Sequence, residues 1–303
     1  QKVLTGDSGI ETRRFCDPDL KKTFGYEAGA LHQHFEFHAP RLASEALLKA
    51  CDLASIKPSG IDALLVCTCT GYLCPGLSSY ISEKLGLRPN AFLQDLLGLG
   101  CGAALPLLET ARGFLAANPD ATVATIAVEI SSAAFYLNDE PGVLISLCLF
   151  GDGAAAAIWK AESQGGQLRF QNFRTIHQPE HREKIRFVNA GGRLKNQLHR
   201  EVPELAAKAV SQLYQMSSNA PRKIIAHTGG RDVIEAIERA IPGQKLSSTR
   251  EILRQYGNIS SPSVLAALEH SLATSPHAES LWLTAFGAGF AAHSGELVAS
   301  QDV

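Results

Sequence analysis

Apolar positions along this 303-residue chain follow two rhythms that alternate. Arg41–Ala54 places Leu42, Ala46, Leu47 and Ala50 at helical spacing. Ala63–Thr68 is instead an unbroken apolar run of strand length, which predicts a strand covered on both faces, as in a parallel sheet. Pro75-Gly76 breaks the chain, and Ser78–Leu85 restarts a helix. Phe92–Leu97, Thr122–Val128 and Ala154–Trp159 read as strands. Gly102–Ala117 reads as a helix striped by Ala104, Leu107, Leu108, Ala111 and Leu115. Ser163-Gln164-Gly165-Gly166 is the best candidate for an internal boundary, dividing the chain into 1–165 and 166–303. Beyond it come a strand at Leu168–Thr175, a helix at Pro203–Met216 and a strand at Lys223–His227. Helices at Asp232–Ala240, Ser247–Tyr256 and Ser263–Leu272 follow, with Leu281–Ala285 as the last strand. Alternation in both halves predicts an α/β fold with parallel or mixed sheets.

Two of these element ends carry candidate chemistry. Cys101 stands in G-L-G-C-G-A-A, after a strand and at the start of a helix. Flanking glycines allow a ligand close to the backbone. Free N–H groups at a helix start favour a thiolate, predicting a lowered thiol pKa, and can receive an oxyanion. His227 ends the strand K-I-I-A-H and opens into T-G-G, the end of a strand where α/β proteins place reactive groups. A histidine there can pair with a thiolate or exchange protons near neutral pH. Asn258, in Y-G-N-I-S-S, reads from its own residues as an ordinary turn asparagine. His32, His34 and His38 lie in polar stretches that read as surface.

Composition narrows the classes. A formal net charge of -2 with 45% hydrophobic residues describes a soluble globular chain without the basic field that nucleic acid requires. No apolar run reaches the roughly 18 residues that span a bilayer, so no membrane partner is expected. The first residue is Gln1, consistent with a native N-terminal segment outside this sequence. Seven cysteines, an odd number in mostly apolar contexts, point to reduced thiols and a cytoplasmic protein. C-T-C-T-G-Y-L-C at Cys67–Cys74 invites a metal reading, but a second ligand pair at finger-like spacing is missing from the sequence, so no metal is expected.

Taken together, Gly-Cys-Gly, C-L-F-G-D-G-A-A-A at Cys148–Ala156, A-H-T-G-G and Y-G-N-I-S-S-P-S, in that order, resemble type III polyketide synthases, the chalcone synthase-like family of the thiolase superfamily. V-C-T-C-T-G-Y-L-C-P-G, V-E-I-S-S and A-F-G-A-G extend the likeness from Gly9 to Leu297. The resemblance implies a thiolase fold, two pseudo-equivalent halves in five αβαβα layers. It implies decarboxylative Claisen condensation of malonyl-CoA onto an acyl-CoA starter held as a Cys101 thioester, with no cofactor beyond the CoA substrates. His227 and Asn258 would donate hydrogen bonds to the thioester oxygen that gains charge as carbon dioxide leaves. Phe150 matches a gating phenylalanine, whereas Asn196 falls where the family has a second one. Cys69, Thr70, Cys74, Ser131, Ala134 and Gly287 fall at pocket positions. Ala288 replaces a usual proline, so ring-closure specificity does not carry over. Cys74 falls where a side chain reaches the partner subunit, implying a homodimer, and Arg13-Arg14 resembles a segment meeting CoA phosphates. The runner-up is a ketoacyl synthase III-like single condensation, which shares Cys, His and Asn.

Overall fold

The computed structural model describes residues 8–161, 168–217, 223–275 and 280–299. In chain order it runs α1 (Leu20–Phe24), α2 (Ala28–Leu53), β1 (Ala63–Cys67), α3 (Leu77–Leu85), β2 (Phe92–Leu96), α4 (Ala104–Ala117), β3 (Val123–Glu129), α5 (Pro141–Leu149) and β4 (Gly153–Trp159). Then come β5 (Leu168–His177), β6 (Ile185–Ala190), β7 (Arg193–Leu198), α6 (Val202–Gln215), β8 (Ile224–Ala226), α7 (Arg231–Ala240), α8 (Ser247–Tyr256), α9 (Ser263–Thr274), β9 (Ser280–Gly287) and β10 (Ala291–Ala299).

One sheet is ordered β2-β1-β3-β4 and a second β5-β10-β9-β8. In the first, β1 pairs in parallel with β2 and β3, and β3 pairs antiparallel with β4. In the second, β8 and β9 are parallel, while β10 runs antiparallel to both β9 and β5. The continuous apolar run of β1 is explained by cover on both faces. Leu64 and Val66 face the cluster formed with Phe35, Leu47 and Ile81 of α2 and α3. Ala63, Leu65 and Cys67 face a second cluster with Leu105 and Leu108 of α4, Val264 of α9 and Leu283 of β9. A third cluster puts Val210 and Leu213 of α6 and Ile234 and Ile237 of α7 against Trp282 and Ala292. Read outward from the centre, α4 and α9 are sandwiched by the two sheets, which are capped by α2/α3 and by α6/α7. That is the αβαβα layering expected. The boundary expected at 163–166 lies outside the described residues.

Several local expectations are corrected. The first long helix begins at Ala28 rather than Arg41 and passes through Pro40. Its early turns bury Leu31, His34, Phe35 and Ala39, so His34 is not a surface residue. His34 Nε2 lies 3.0 Å from Ser132 Oγ, and that hydroxyl donates to Asp152 at 2.8 Å. Scattered histidines hid an apolar helical face. Four features have no counterpart in the sequence reading: α1, α5, the β6–β7 hairpin, and β10, which follows the strand expected to be last.

Candidate functional site

Cys101 occupies a single 3-10 turn, Gly100–Gly102, immediately ahead of α4. That turn is pressed against the loop after β9. A Cβ on Gly287 would sit 2.5 Å from Gly102 N and 3.0 Å from Cys101 N, so only glycine fits there. The Cys101 turn and the second sheet therefore meet backbone to backbone. Ser260 Oγ donates a hydrogen bond to Cys101 Sγ at 3.1 Å and lies 3.3 Å from Cys69 Sγ.

Asn258 is locked rather than loosely placed in a turn. Its Oδ1 accepts from Ser260 N–H at 2.8 Å and its Nδ2 donates to Gly229 O at 3.2 Å. The first bond is an Asx turn, which defines which amide atom is oxygen and leaves one N–H for a ligand. The Asn258 backbone bridges to Phe150 through Asn258 N–H to Leu149 O (2.9 Å) and Gly151 N–H to Asn258 O (3.0 Å). His227 begins the turn after β8, its N–H donating to Thr284 O at 2.8 Å. The ring packs edge-on to Phe286, 5.2 Å between centroids. Its Nδ1 is buried with no protein partner, leaving a ring nitrogen unspent.

The electrostatics differ from the expectation of a thiolate at a helix start. Burial pushes the Cys101 thiol up to about 12; the Ser260 hydroxyl opposes this, and the buried Glu129 carboxylate adds to it. Burial likewise lowers His227 to about 3. One turn of free N–H groups is outweighed by loss of water. The resting pair is thiol and neutral imidazole. Glu129 is itself pushed upward by burial, opposed by hydrogen bonds from Ser261, the Cys69 backbone and Thr70. Ser261 Oγ donates to its Oε1 at 2.5 Å, and Cys69 N–H (2.9 Å) and Thr70 Oγ1 (2.9 Å) donate to Oε2.

The pocket positions do converge. Thr70, Ser131, Ala134, Phe150 and Asn196 line one small buried cavity together with Phe187 and Ser260. Asn196 Nδ2 donates to Ser146 Oγ at 3.0 Å, so this polar residue is tied to α5. Cys69 and Thr70 also line a larger cavity of about 540 Å³ that reaches Leu97, Gly100, Ala288 and Phe187. A third cavity, about 510 Å³, lies on the other side of Leu149 against Gly229, Gly230, Arg200 and Arg231. Arg13 Nη1 donates to the carbonyls of Leu147 and Phe150, the latter at 2.9 Å, and so ties the N-terminal segment to the end of α5. Arg14 stays exposed, and so does Cys74. Among the described residues, no three His, Cys, Asp or Glu side chains are placed to hold a metal.

A family profile described as FAE1/type III polyketide synthase-like protein matches residues 34–219. The chain belongs to that family. A second profile, chalcone and stilbene synthases, C-terminal domain, matches residues 179–291 of this type III polyketide synthase-like chain. A 1,3,6,8-tetrahydroxynaphthalene synthase of Streptomyces griseus is 27% identical over 95% of this chain and 80% of its own length. A 3,5-dihydroxyphenylacetyl-CoA synthase of Streptomyces toyocaensis is 27% identical over 88% of this chain and 73% of its own. The crystal structure of 1,3,6,8-tetrahydroxynaphthalene synthase from Streptomyces coelicolor A3(2) superimposes with a TM-score of 0.87 at 24% identity, covering 99% of this chain and 89% of that one. That likeness establishes the thiolase fold. Family membership makes the chain a condensing acyltransferase of the type III polyketide synthase kind, not a ketoacyl synthase III.

Sequence reasoning quoted the segments holding Ser260 and Glu129 but assigned neither a part in the site. Phe187 escaped it altogether. Phe187 faces Asn196 across the β6–β7 hairpin. An aromatic residue thus stands beside the position where the expected phenylalanine is missing, and only the unpredicted hairpin register reveals it.

Proposed function

We propose that this chain condenses malonyl-CoA onto an acyl-CoA starter carried on Cys101, with His227 and Asn258 as the donors to the malonyl thioester oxygen. The observation that carries the reading is convergence: Ser260 Oγ donates to Cys101 Sγ, and the Asn258 side chain joins Ser260 N–H to Gly229 O, two residues after His227. Transfer of the thiol proton toward the imidazole creates opposite charges whose attraction offsets the burial penalty that each bears alone. Loss of carbon dioxide then puts negative charge on the thioester oxygen. Neutral donors fixed in advance stabilise it without reorganising, worth on the order of 10²–10³ in rate per donor.

The cavity against Gly229 and Gly230 suits the CoA arm, with Arg200 and Arg231 at its wall. Arginine's planar fork matches phosphate oxygens. Exposed Arg14 remains a candidate, whereas Arg13 is spent on the gate. The cavity beside Cys69 and Phe187 takes the growing chain, with Phe150 as the gate between the two. A homodimer belongs to the same reading. Edge strand β2 presents partly exposed Phe92 and Leu93, with Leu97 just beyond it, and exposed Cys74 lies close by on the loop tied to β2 through Ser78 and Asp95. We place the enzyme in the cytoplasm with its CoA substrates. The test is a panel of acyl-CoA starters with malonyl-CoA and no carrier protein, read by mass spectrometry. Triketides or longer products, absent in Cys101→Ala, are expected. Products that stop at one condensation or plain acyl-CoA hydrolysis defeat the proposal.

A further inference from the structure

One residue outside the proposed trio bonds to two of its members. Ser260 Oγ donates to Cys101 Sγ at 3.1 Å, and Ser260 N–H donates to Asn258 Oδ1 at 2.8 Å. We propose that Ser260 is a fourth catalytic residue, whose hydroxyl stabilises negative charge on the Cys101 sulfur while its backbone N–H holds the Asn258 amide in register with that sulfur. The proposal rests on the condensation reading above and extends it by a residue acting on the nucleophile itself.

Three observations favour this over a packing role. First, the hydroxyl has other acceptors in range, Cys69 Sγ at 3.3 Å and Glu129 Oε1 at 3.4 Å, yet its shortest contact is to Cys101. Glu129 does not need it, because Ser261 already donates to Oε1 at 2.5 Å and four donors, Cys69 N–H, Thr70 N–H and the hydroxyls of Thr68 and Thr70, serve Oε2. Second, Ser260 adopts φ +57°, a left-handed conformation that glycine enters most easily. A side chain is kept where the backbone alone favours none. Third, the buried Glu129 carboxylate disfavours charge on the Cys101 sulfur, and the Ser260 hydroxyl aimed at that sulfur opposes it. Acylation forms the bond from Sγ to the acyl carbon and breaks the bond from that carbon to the CoA sulfur. The thiol proton ends on the departing CoA sulfur, so no further reactant is consumed. The Ser260 proton stays on its oxygen throughout.

The test follows iodoacetamide alkylation of the Cys101 peptide by mass spectrometry across a pH series, in the wild type and in Ser260→Gly, Ser260→Ala and Ser260→Thr. Glycine suits φ +57°, alanine keeps the Cβ, and threonine keeps the hydroxyl. The alkylation midpoint is expected to rise by about one pH unit in the Gly and Ala variants, as for loss of one hydrogen bond to a charged acceptor. Threonine restores it. Turnover falls about tenfold, with little change in KM for the starter, because the lost interaction exists only once sulfur bears charge. A profile coincident with the wild type in either Gly or Ala overturns the proposal, and if one of them fails to fold the other decides. Alkylation needs no condensation. A shifted midpoint in a protein whose wild type makes no polyketide would therefore sink the condensation reading and keep the Ser260 contact.

Discussion

The two sheets share one strand plan and end in opposite chemistry. In each, a parallel pair (β1 with β3, β8 with β9) is followed by an antiparallel strand (β4, β10). Where β1 and β3 end, the first half presents Cys69 and the carboxylate of Glu129, and Cys101 follows β2. Where β8 and β9 end, the second half presents His227, Thr228 and the bare backbone of Gly287, and Asn258 joins them from the loop after α8. One half offers sulfur and negative charge; the other offers neutral donors. The division makes physical sense. A donor that stays uncharged bears a small desolvation cost while it waits for charge to develop on the substrate. A buried sulfur beside a carboxylate is held as thiol.

The strongest way to break the comparison is to disable each half alone. Cys101→Ala removes the acyl carrier but leaves the donors, so chain extension should vanish while slow release of carbon dioxide from malonyl-CoA persists. Asn258→Ala leaves the carrier but removes a donor. Carbon dioxide release should then fall by about 10²–10³ while a labelled starter still loads onto Cys101. Equal loss of both partial reactions in both variants would mean that the halves do not divide the work.

Next in size is the seam itself. Gly287→Ala places a methyl 2.5 Å from Gly102 N and 3.0 Å from Cys101 N, both backbone atoms that cannot rotate away. We expect a loss of about 3 kcal/mol in urea unfolding, at the upper end for overpacking, together with loss of loading on Cys101. Normal stability in this variant would show that the two halves are not in rigid contact at the nucleophile.

Much of this was readable beforehand, and what was not has a common cause. Local patterns carry strands such as β1, because cover on both faces makes the run wholly apolar. They also carry Cys101 and His227, whose flanking glycines mark strand ends. Contacts across the fold leave no such mark. Ser260 is one more loop serine until its hydroxyl is seen against a sulfur 159 positions away. Glu129 is one residue of V-E-I-S-S with no role assigned to it from sequence, yet it is wholly buried among donors from two other segments. The helix-start argument for a thiolate weighed a local field and had no measure of burial, which proved the larger effect.

Glu129 sharpens the comparison through two effects of opposite sign. Glu129→Gln removes negative charge near Cys101, so alkylation of that thiol at fixed pH should speed up severalfold. The same change turns one acceptor atom into an N–H facing donors from Cys69, Thr70 or Ser261. A buried mismatch of this kind costs about 1–3 kcal/mol, so the thermal midpoint should drop. If reactivity and stability fall together, the carboxylate helps the sulfur rather than restraining it.

The smallest effect is a pH dependence that the second half should dominate. Burial lowers His227 to about 3 and His293 to about 4, from an ordinary 6.5. Below 6.5 the unfolded chain takes up protons that the folded chain refuses. The stability of the neutral forms is therefore fully present above pH 6.5 and is lost as pH falls toward 4. Each histidine contributes a slope of about 1.4 kcal/mol per pH unit in that window. Buried Glu129 and Asp152 are shifted upward, which acts in the opposite sense wherever they titrate, because protonation relieves their burial. Those two carboxylates belong to the first half, where buried His34, also lowered to about 4, opposes them, so acid pulls the first half both ways and loosens the second through its two histidines. With His34 contributing alongside His227, His293→Gln should remove about a third of the histidine slope without touching Cys101, since His293 bonds Thr175 at 2.9 Å and leaves its Nε2 unpartnered. Thermal unfolding between pH 7 and 5 reads it. A wild-type midpoint that holds level or climbs on acidification would mean that the first half's carboxylates, not the second half's imidazoles, set the acid response.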